Sequence, residues 1–241
     1  MAANGNGGDL EGWTIAFDLD GTLVETAPDL IGTLNRMLVQ RRLPTVPLEA
    51  ARNLIGLGAI PLLKRGFEAA GVEWDETASP ALLEAFLADY HEHVADGSTA
   101  YPGAIEALDA LAARGAILCV ATNKPTHLAV ALFRAIGLEE RFGSICGPQS
   151  VSARKPDAAH IREAVLQAGG DPARAIMVGD SITDLDAARA TGVPCILTTF
   201  GYTEIPAAEL GADLLIEHFD ALEAAVDALI GAQAERALSK A

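Results

Sequence analysis

The sequence predicts an α/β protein, a doubly wound parallel sheet with an all-helical domain inserted near its start. Three observations predict it. Strand-like apolar runs alternate with helix-like segments from Tyr101 onward. A separate apolar run, Trp13–Phe17, stands near the N-terminus and ends on Asp18-Leu19-Asp20-Gly21. Between them, Glu25 to about Asp96 carries helical spacing and no evident strand. Strands that alternate with helices build a parallel sheet covered on both faces.

Trp13–Phe17 is short, apolar and bounded by turn residues, as a buried strand is. Leu30, Leu34, Met37 and Leu38 then share one helical face, and further helical patterns cover Leu48–Leu54, Ile60–Ala69 and Ala81–Val94. Ile105, Leu108 and Leu111 mark a helix over Ile105–Arg114, followed by a strand at Ile117–Ala121 and a helix at His127–Ile136. A short strand at Gly143–Cys146 and a helix at Ala158–Ala168 come next. Ala175–Val178 is a strand, Asp184–Ala190 a helix, Cys195–Thr199 a strand, and Leu214–Ile216 an edge strand. Leu222, Val226, Leu229 and Ile230 keep helical spacing, so Ala221–Gly231 packs as a last helix. The expected organisation is a Rossmann-like core of residues 12–24 and 97–232 and a helical cap of residues 25–96, with flexible tails at 1–11 and 233–241. Cap and core join through two passages, near Glu25–Pro28 and Asp96–Pro102.

The 241 residues are 50% hydrophobic, enough for one sizeable core and a smaller accessory domain. A net charge of −16 argues against nucleic-acid and anionic-membrane partners, which call for basic surfaces. It also means that an anionic ligand must be drawn in by local positive charge or a bound metal. No apolar stretch approaches the length of a membrane helix, and the polar, Gly-rich start has no signal-peptide core. Cys119, Cys146 and Cys195 are odd in number and lie in or beside apolar runs, so they read as reduced core residues of a cytoplasmic protein. The chain is expected to be a monomer or homodimer.

Asp18 and Asp20 must sit close together at a strand end. Like charges that near are unfavourable unless a cation neutralises them or one keeps a proton. Either escape serves an enzyme, because a carboxylate can attack an electrophile and a carboxylic acid can protonate a leaving group. Three other strand ends carry chemical parts: Thr122-Asn123-Lys124, Arg154-Lys155-Pro156, and Gly179-Asp180 followed by Asp184 and Asp186. In open parallel sheets, ligands bind beyond the carboxyl ends of the strands. Clustered carboxylates make a hard-oxygen site with no His or Cys cluster to compete, for which Mg²⁺ is the natural ion.

In the order and rough spacing of these four parts, the chain resembles the haloacid dehalogenase superfamily of phosphotransferases from about Ile15 to Thr203. That resemblance implies Asp18 as the nucleophile that forms an aspartyl-phosphate. It implies Asp20 as general acid for the leaving alcohol, then general base for water. Thr122 donates to a phosphoryl oxygen with Asn123 nearby, and Lys155 bridges the phosphate and Asp18. The backbone N–H groups of Leu19 and Asp20 complete an anion nest. Asp18, the Asp20 backbone carbonyl and Asp180 ligate the metal, with Asp184 reaching it directly or through a water. Thr22 is expected to hydrogen-bond within its own loop. A helical cap over the site excludes water and supplies specificity.

Ala27-Pro28-Asp29-Leu30, Gly56-Leu57-Gly58, Thr122-Asn123-Lys124-Pro125 and Gly201-Tyr202 resemble the phosphoglycolate phosphatase branch. Asp157-Ala158 after Lys155-Pro156, and Glu25-Thr26, depart from that branch's usual His-Pro and Asp-Ser. The substrate implied is a small phosphorylated metabolite, 2-phosphoglycolate first. Arg52, Lys64, Arg65 and Lys124 are the candidates to meet its carboxylate. A phosphomutase acting on a sugar phosphate is the alternative of the same architecture. Phosphonoacetaldehyde hydrolysis, with Lys64 as the only cap lysine, and a non-catalytic binding protein carry less weight.

Overall fold

The computed structural model describes residues 8–51, 55, 58–203 and 205–238. β1 (Thr14–Phe17) leads through a short loop to the two-residue strand β2 (Val24–Glu25). Four helices follow: α1 (Ala27–Gln40), α2 (Leu48–Ala51), α3 (Ala59–Ala69) and α4 (Ser79–Glu92). A second two-residue strand, β3 (Thr99–Ala100), brings the chain back to the sheet. The remainder alternates: α5 (Ala104–Ala113), β4 (Ile117–Ala121), α6 (Thr126–Ala135), β5 (Ser144–Cys146), α7 (Ala158–Gln167), β6 (Ala175–Gly179), α8 (Ile182–Thr191) and β7 (Cys195–Thr198). The short α9 (Ala207–Leu210), the edge strand β8 (Leu214–Ile216) and α10 (Leu222–Leu238) complete the order.

The main sheet is parallel throughout, with strand order β5-β4-β1-β6-β7-β8. The chain runs outward from β1 on one side and then crosses back to β6 on the other. β1 is therefore the switch point, where open sheets form their ligand crevice. Register aligns the strand ends there: Phe17 pairs with Val120 and Val178, and Ala121 pairs with Cys146. Alternation within each strand sorts the two faces. Ile15, Phe17, Val120 and Val178 belong to the larger core with Leu108, Leu111, Leu132 and Val226. Ala16, Cys119, Ala121 and Met177 face the other way, onto Ile161, Ala164, Leu185 and Ala188 of α7 and α8. With both faces covered, the doubly wound α/β expectation is borne out.

The insert packs through helical spacing. Leu30, Ile31, Leu34, Met37 and Leu38 of α1 are buried, and the same cluster takes in Leu62, Leu63 and Phe67 of α3 and Phe86 and Tyr90 of α4. β2 and β3 pair antiparallel, Val24 with Ala100 and Glu25 with Thr99, so the two passages between insert and sheet are hydrogen-bonded together. A two-residue ladder has no room for the alternation that marks strands, and the sequence gives no strand signal there. Asp29 reinforces the junction. Its carboxylate accepts from Gly97 N at 2.8 Å and from Ser98 N and Oγ at 2.8 and 2.5 Å. Asp29→Ala leaves the buried Ser98 N–H and hydroxyl unpaired, and unfolding in urea should show a loss of roughly 2–3 kcal/mol.

Two further details differ from the expected tails. α10 runs on past Gln233 to Leu238. At the other end, Leu10 is buried, and its N–H donates to Arg114 O at 3.0 Å, so the chain is already docked on the core before Gly12. An apolar side chain flanked by Gly-rich sequence carries too little periodicity to reveal this docking. The three cysteines are free and buried. No helix among the described residues is long and apolar enough to cross a membrane.

Candidate active site

The carboxyl ends of β1, β4 and β6 converge under the helical insert. A cavity between them is lined from the sheet side by Asp18, Asp20, Thr122, Lys124 and Asp180, and from the insert by apolar side chains such as Leu62 and Phe86. Asp18 directly follows β1, and its N–H donates to Val178 O at 2.9 Å, which fixes it beside β6. The loop then folds back on the Leu19 carbonyl, which accepts N–H groups from Thr22, Leu23 and Val24. Gly21 has φ +83°, and a Cβ there would come within 2.4 Å of Asp180 Oδ2. This turn therefore admits no side chain.

Asp18, Asp180 and Asp184 bring carboxylate oxygens within 4.8 Å of one another. Burial pushes the Asp18 acid up to about 6; Lys155 opposes the shift, while Asp184 and then Asp20 add to it. Burial likewise raises Asp180, with Asp184 and Asp18 repelling its charge. Asp180 is held by Thr22 Oγ1 at 3.2 Å and by Tyr202 N at 2.5 Å. Thr22 thus reaches across to Asp180 rather than staying within its own loop.

Asp184 stands at the start of α8. Its Oδ2 accepts from Asp180 N, Ser181 N and Ser181 Oγ, and its Oδ1 accepts from Lys155 Nζ at 2.6 Å. Lys155 Nζ also lies 2.9 Å from Asp18 Oδ1. Burial alone would push this ammonium down, but Asp18 and Asp184 more than offset it and hold it protonated. Although near Lys155, Asp18 Oδ1 is buried without a hydrogen bond of good geometry. An all-carboxylate donor set with an unsatisfied buried oxygen fits a hard divalent cation.

The Asp20 side chain stands apart from that trio. Lys124 Nζ lies 2.9 Å from its Oδ1 and 2.7 Å from the Tyr90 hydroxyl of α4, and 4.3 Å from the Tyr90 ring centroid. Thr122 Oγ1 accepts from Lys124 N at 3.2 Å, which leaves its own proton to donate. The Asn123 side chain is turned to the Lys155 carbonyl, with Nδ2 at 3.0 Å. Asn123 lines the cavity as well, so it stands beside Thr122 while its side-chain nitrogen holds the lysine backbone.

Of the four candidates for a carboxylate partner, Arg52 lies outside the described residues, as do Gly56 and Leu57. Lys64 is exposed, with Glu76 as a distant partner at 3.8 Å, and neither it nor Arg65 lines the cavity. Lys124 is the one cation among the described residues that line it.

A sequence profile of the haloacid dehalogenase-like hydrolases matches residues 15–198. The chain belongs to that family. A phosphoglycolate phosphatase of Caulobacter vibrioides is 49% identical over 211 residues, covering 88% of this chain and 89% of its own length. A phosphoglycolate phosphatase of Agrobacterium fabrum is 44% identical over 87% of this chain and 90% of its own. A solved structure from Haemophilus somnus, described as a predicted phosphoglycolate phosphatase, superposes with a TM-score of 0.78 at 33% identity, covering 87% of this hydrolase and 95% of that chain.

Three site residues of this hydrolase escape sequence reasoning. Tyr90 is one aromatic in a helix otherwise read as core-forming. Tyr202 reads only as a branch marker, yet its hydroxyl accepts from Thr26 N and Ala27 N at 2.8 and 2.9 Å while its N–H holds Asp180. His160 carries no motif signal at all.

Proposed function

We propose that this hydrolase is a magnesium-dependent phosphomonoesterase whose substrate is 2-phosphoglycolate. The observation that carries the reading is the division of labour between Asp18 and Asp20. One carboxylate sits with Lys155 in the acidic trio, while the other faces the cavity beside Lys124. Carboxyl groups placed in different environments take different chemical roles.

Asp18 attacks phosphorus in line, and the bond to the leaving oxygen breaks as Asp20 gives that oxygen its proton. The product alcohol leaves, and the phosphoryl group stays on Asp18 as an acyl phosphate. Asp20, now a carboxylate, takes a proton from water as that water attacks phosphorus. Inorganic phosphate departs and Asp18 is regenerated. Thr122 donates its hydroxyl to a phosphoryl oxygen, the Leu19 and Asp20 N–H groups face a second, and Lys155 holds the dianion against Asp18. Asp18, Asp180 and the Asp20 carbonyl would hold Mg²⁺, with Asp184 supporting, and the ion would supply charge neutralisation.

The 2-phosphoglycolate assignment rests on the relatives' names and on the cavity's charge. Apart from the Tyr90 hydroxyl, its insert side is apolar among the described residues, so the substrate's carboxylate is left to Lys124 and to the first-turn N–H groups of α3 beside Gly58 and Ala59. Free, buried thiols fit a reducing compartment, so the cytoplasm is the expected location, with the chain acting as a monomer or homodimer.

Phosphate release from a panel of phosphorylated metabolites, with and without chelator, tests this reading. Hydrolysis of 2-phosphoglycolate should exceed that of hexose phosphates and vanish with the metal. Efficient release from hexose phosphates with none from 2-phosphoglycolate removes the substrate assignment. Isomerisation of a sugar phosphate without phosphate release replaces the hydrolase with a mutase.

A further inference from the structure

We propose that His160 is a positioning residue for Lys155, holding the lysine's backbone so that its ammonium is delivered between Asp18 and Asp184. The inference rests on the phosphatase reading only for the consequence in turnover.

His160 lies on α7 and is fully buried. Its Nδ1 lies 3.0 Å from the Lys155 N–H and its Nε2 lies 3.1 Å from the Cys146 carbonyl. The tautomer follows from these partners. An amide N–H can only donate, so Nδ1 must carry the lone pair, and the ring proton sits on Nε2 facing a carbonyl that can only accept. Burial holds the ring neutral, pushing its pKa down to about 4.

The Cys146 carbonyl is shared, because it also accepts from Thr122 N at 3.0 Å. One backbone oxygen at the end of β5 thus sets the height of both Thr122 and His160. On its other side the Lys155 peptide is held by Asn123, through the 3.0 Å bond to its carbonyl. Both polar groups of the Lys155 backbone are therefore held by side chains, one from α7 and one from the end of β4. A flexible four-carbon side chain delivers its charge to a fixed point only when its base is fixed. A misplacement on the order of 1 Å at a catalytic group can lower turnover by about 10²-fold.

A pair of substitutions separates positioning from mere packing. In His160→Asn the amide oxygen replaces Nδ1 and can still accept from Lys155, while the bond to Cys146 is lost. In His160→Gln the amide nitrogen replaces Nε2 and can still donate to Cys146, while the bond to Lys155 is lost. Each keeps one of two hydrogen bonds, and a role in packing alone would impair the shorter Asn at least as much as Gln. With p-nitrophenyl phosphate and 2-phosphoglycolate as substrates, His160→Asn should keep kcat within about threefold of wild type, and His160→Gln should lose roughly 10-fold or more. The ¹⁵Nζ resonance of Lys155 should stay in place in the Asn variant and move in the Gln variant. Equal losses in the two variants, or an unmoved Lys155 signal in His160→Gln, overturn the proposal. Wild-type protein that hydrolyses neither ester removes the phosphatase reading instead, and the lysine resonance still decides the role of His160.

Discussion

Asp18→Asn should lower turnover of every phosphomonoester by at least roughly 10³-fold and, at neutral pH without metal, raise the melting midpoint. The first effect follows from removing the attacking oxygen. An amide is a poor nucleophile, and neither Asp180 nor Asp184 can take over, since both are tied by hydrogen bonds to the loops around them. The second effect follows from crowding. Burial and two neighbouring carboxylates lift the Asp18 acid from 3.8 to about 6, so the folded protein holds a proton there that the unfolded chain has released. Stability is therefore lost as pH rises through that window and does not return above it, by an amount on the order of 2–3 kcal/mol. The Asn variant lacks this component. Its melting midpoint should change less between pH 4 and pH 6 than that of wild type. Turnover at the wild-type rate would eliminate the covalent route, and a fall in midpoint would eliminate the crowding argument.

Lys155→Met should also silence the enzyme, with the opposite effect on stability. Lys155 is buried between Asp18 and Asp184 and is the cation that offsets the trio. Replacing it with an apolar chain of similar length leaves carboxylates facing one another out of water. Breaking a buried pair from one side costs about 3–5 kcal/mol. The loss of a charged donor to the phosphoryl group should lower kcat/KM by roughly 10²–10³-fold. Added Mg²⁺ should recover part of the stability, because a cation restores the missing positive charge, but not the activity. Chemical denaturation with and without the ion measures both. A Met variant as stable as wild type would mean that the trio does not carry the charge assigned to it.

The two substitutions thus pull in opposite directions for one reason: the site is over-supplied with negative charge. That excess is legible in the sequence, since Asp18, Asp20 and Asp180 fall at strand ends and Asp184 opens the helix that follows. So were the sheet and its helices, because apolar runs of β length alternate with amphipathic helices from Tyr101 onward. Three kinds of feature were not legible. The β2–β3 ladder is too short to show a period. The Leu10 contact is made by one side chain in a polar stretch. Tyr90 and Tyr202 act by touching residues far away in sequence, and His160, five residues from Lys155, meets its backbone only because of how the intervening turn folds. Asn123 lines the cavity, and its side-chain nitrogen also holds the Lys155 carbonyl, a contact the motif does not announce. A motif reports that a residue belongs to a site. Only the fold reports which neighbour it faces.

The paired strands at the junction have a mechanical consequence. Two unpaired linkers would let the helical unit tilt, slide and twist independently of the sheet. Laced together by the Val24–Ala100 and Glu25–Thr99 pairing and by the Asp29 clasp, the passages behave as a single strap. A flat strap bends far more easily out of its own plane than within it. Any swing of the helices over the cavity is thereby confined to one arc, and each closure returns Tyr90 to the same place above Lys124. Transplanting these helices onto another sheet would need both halves of the strap to travel with them.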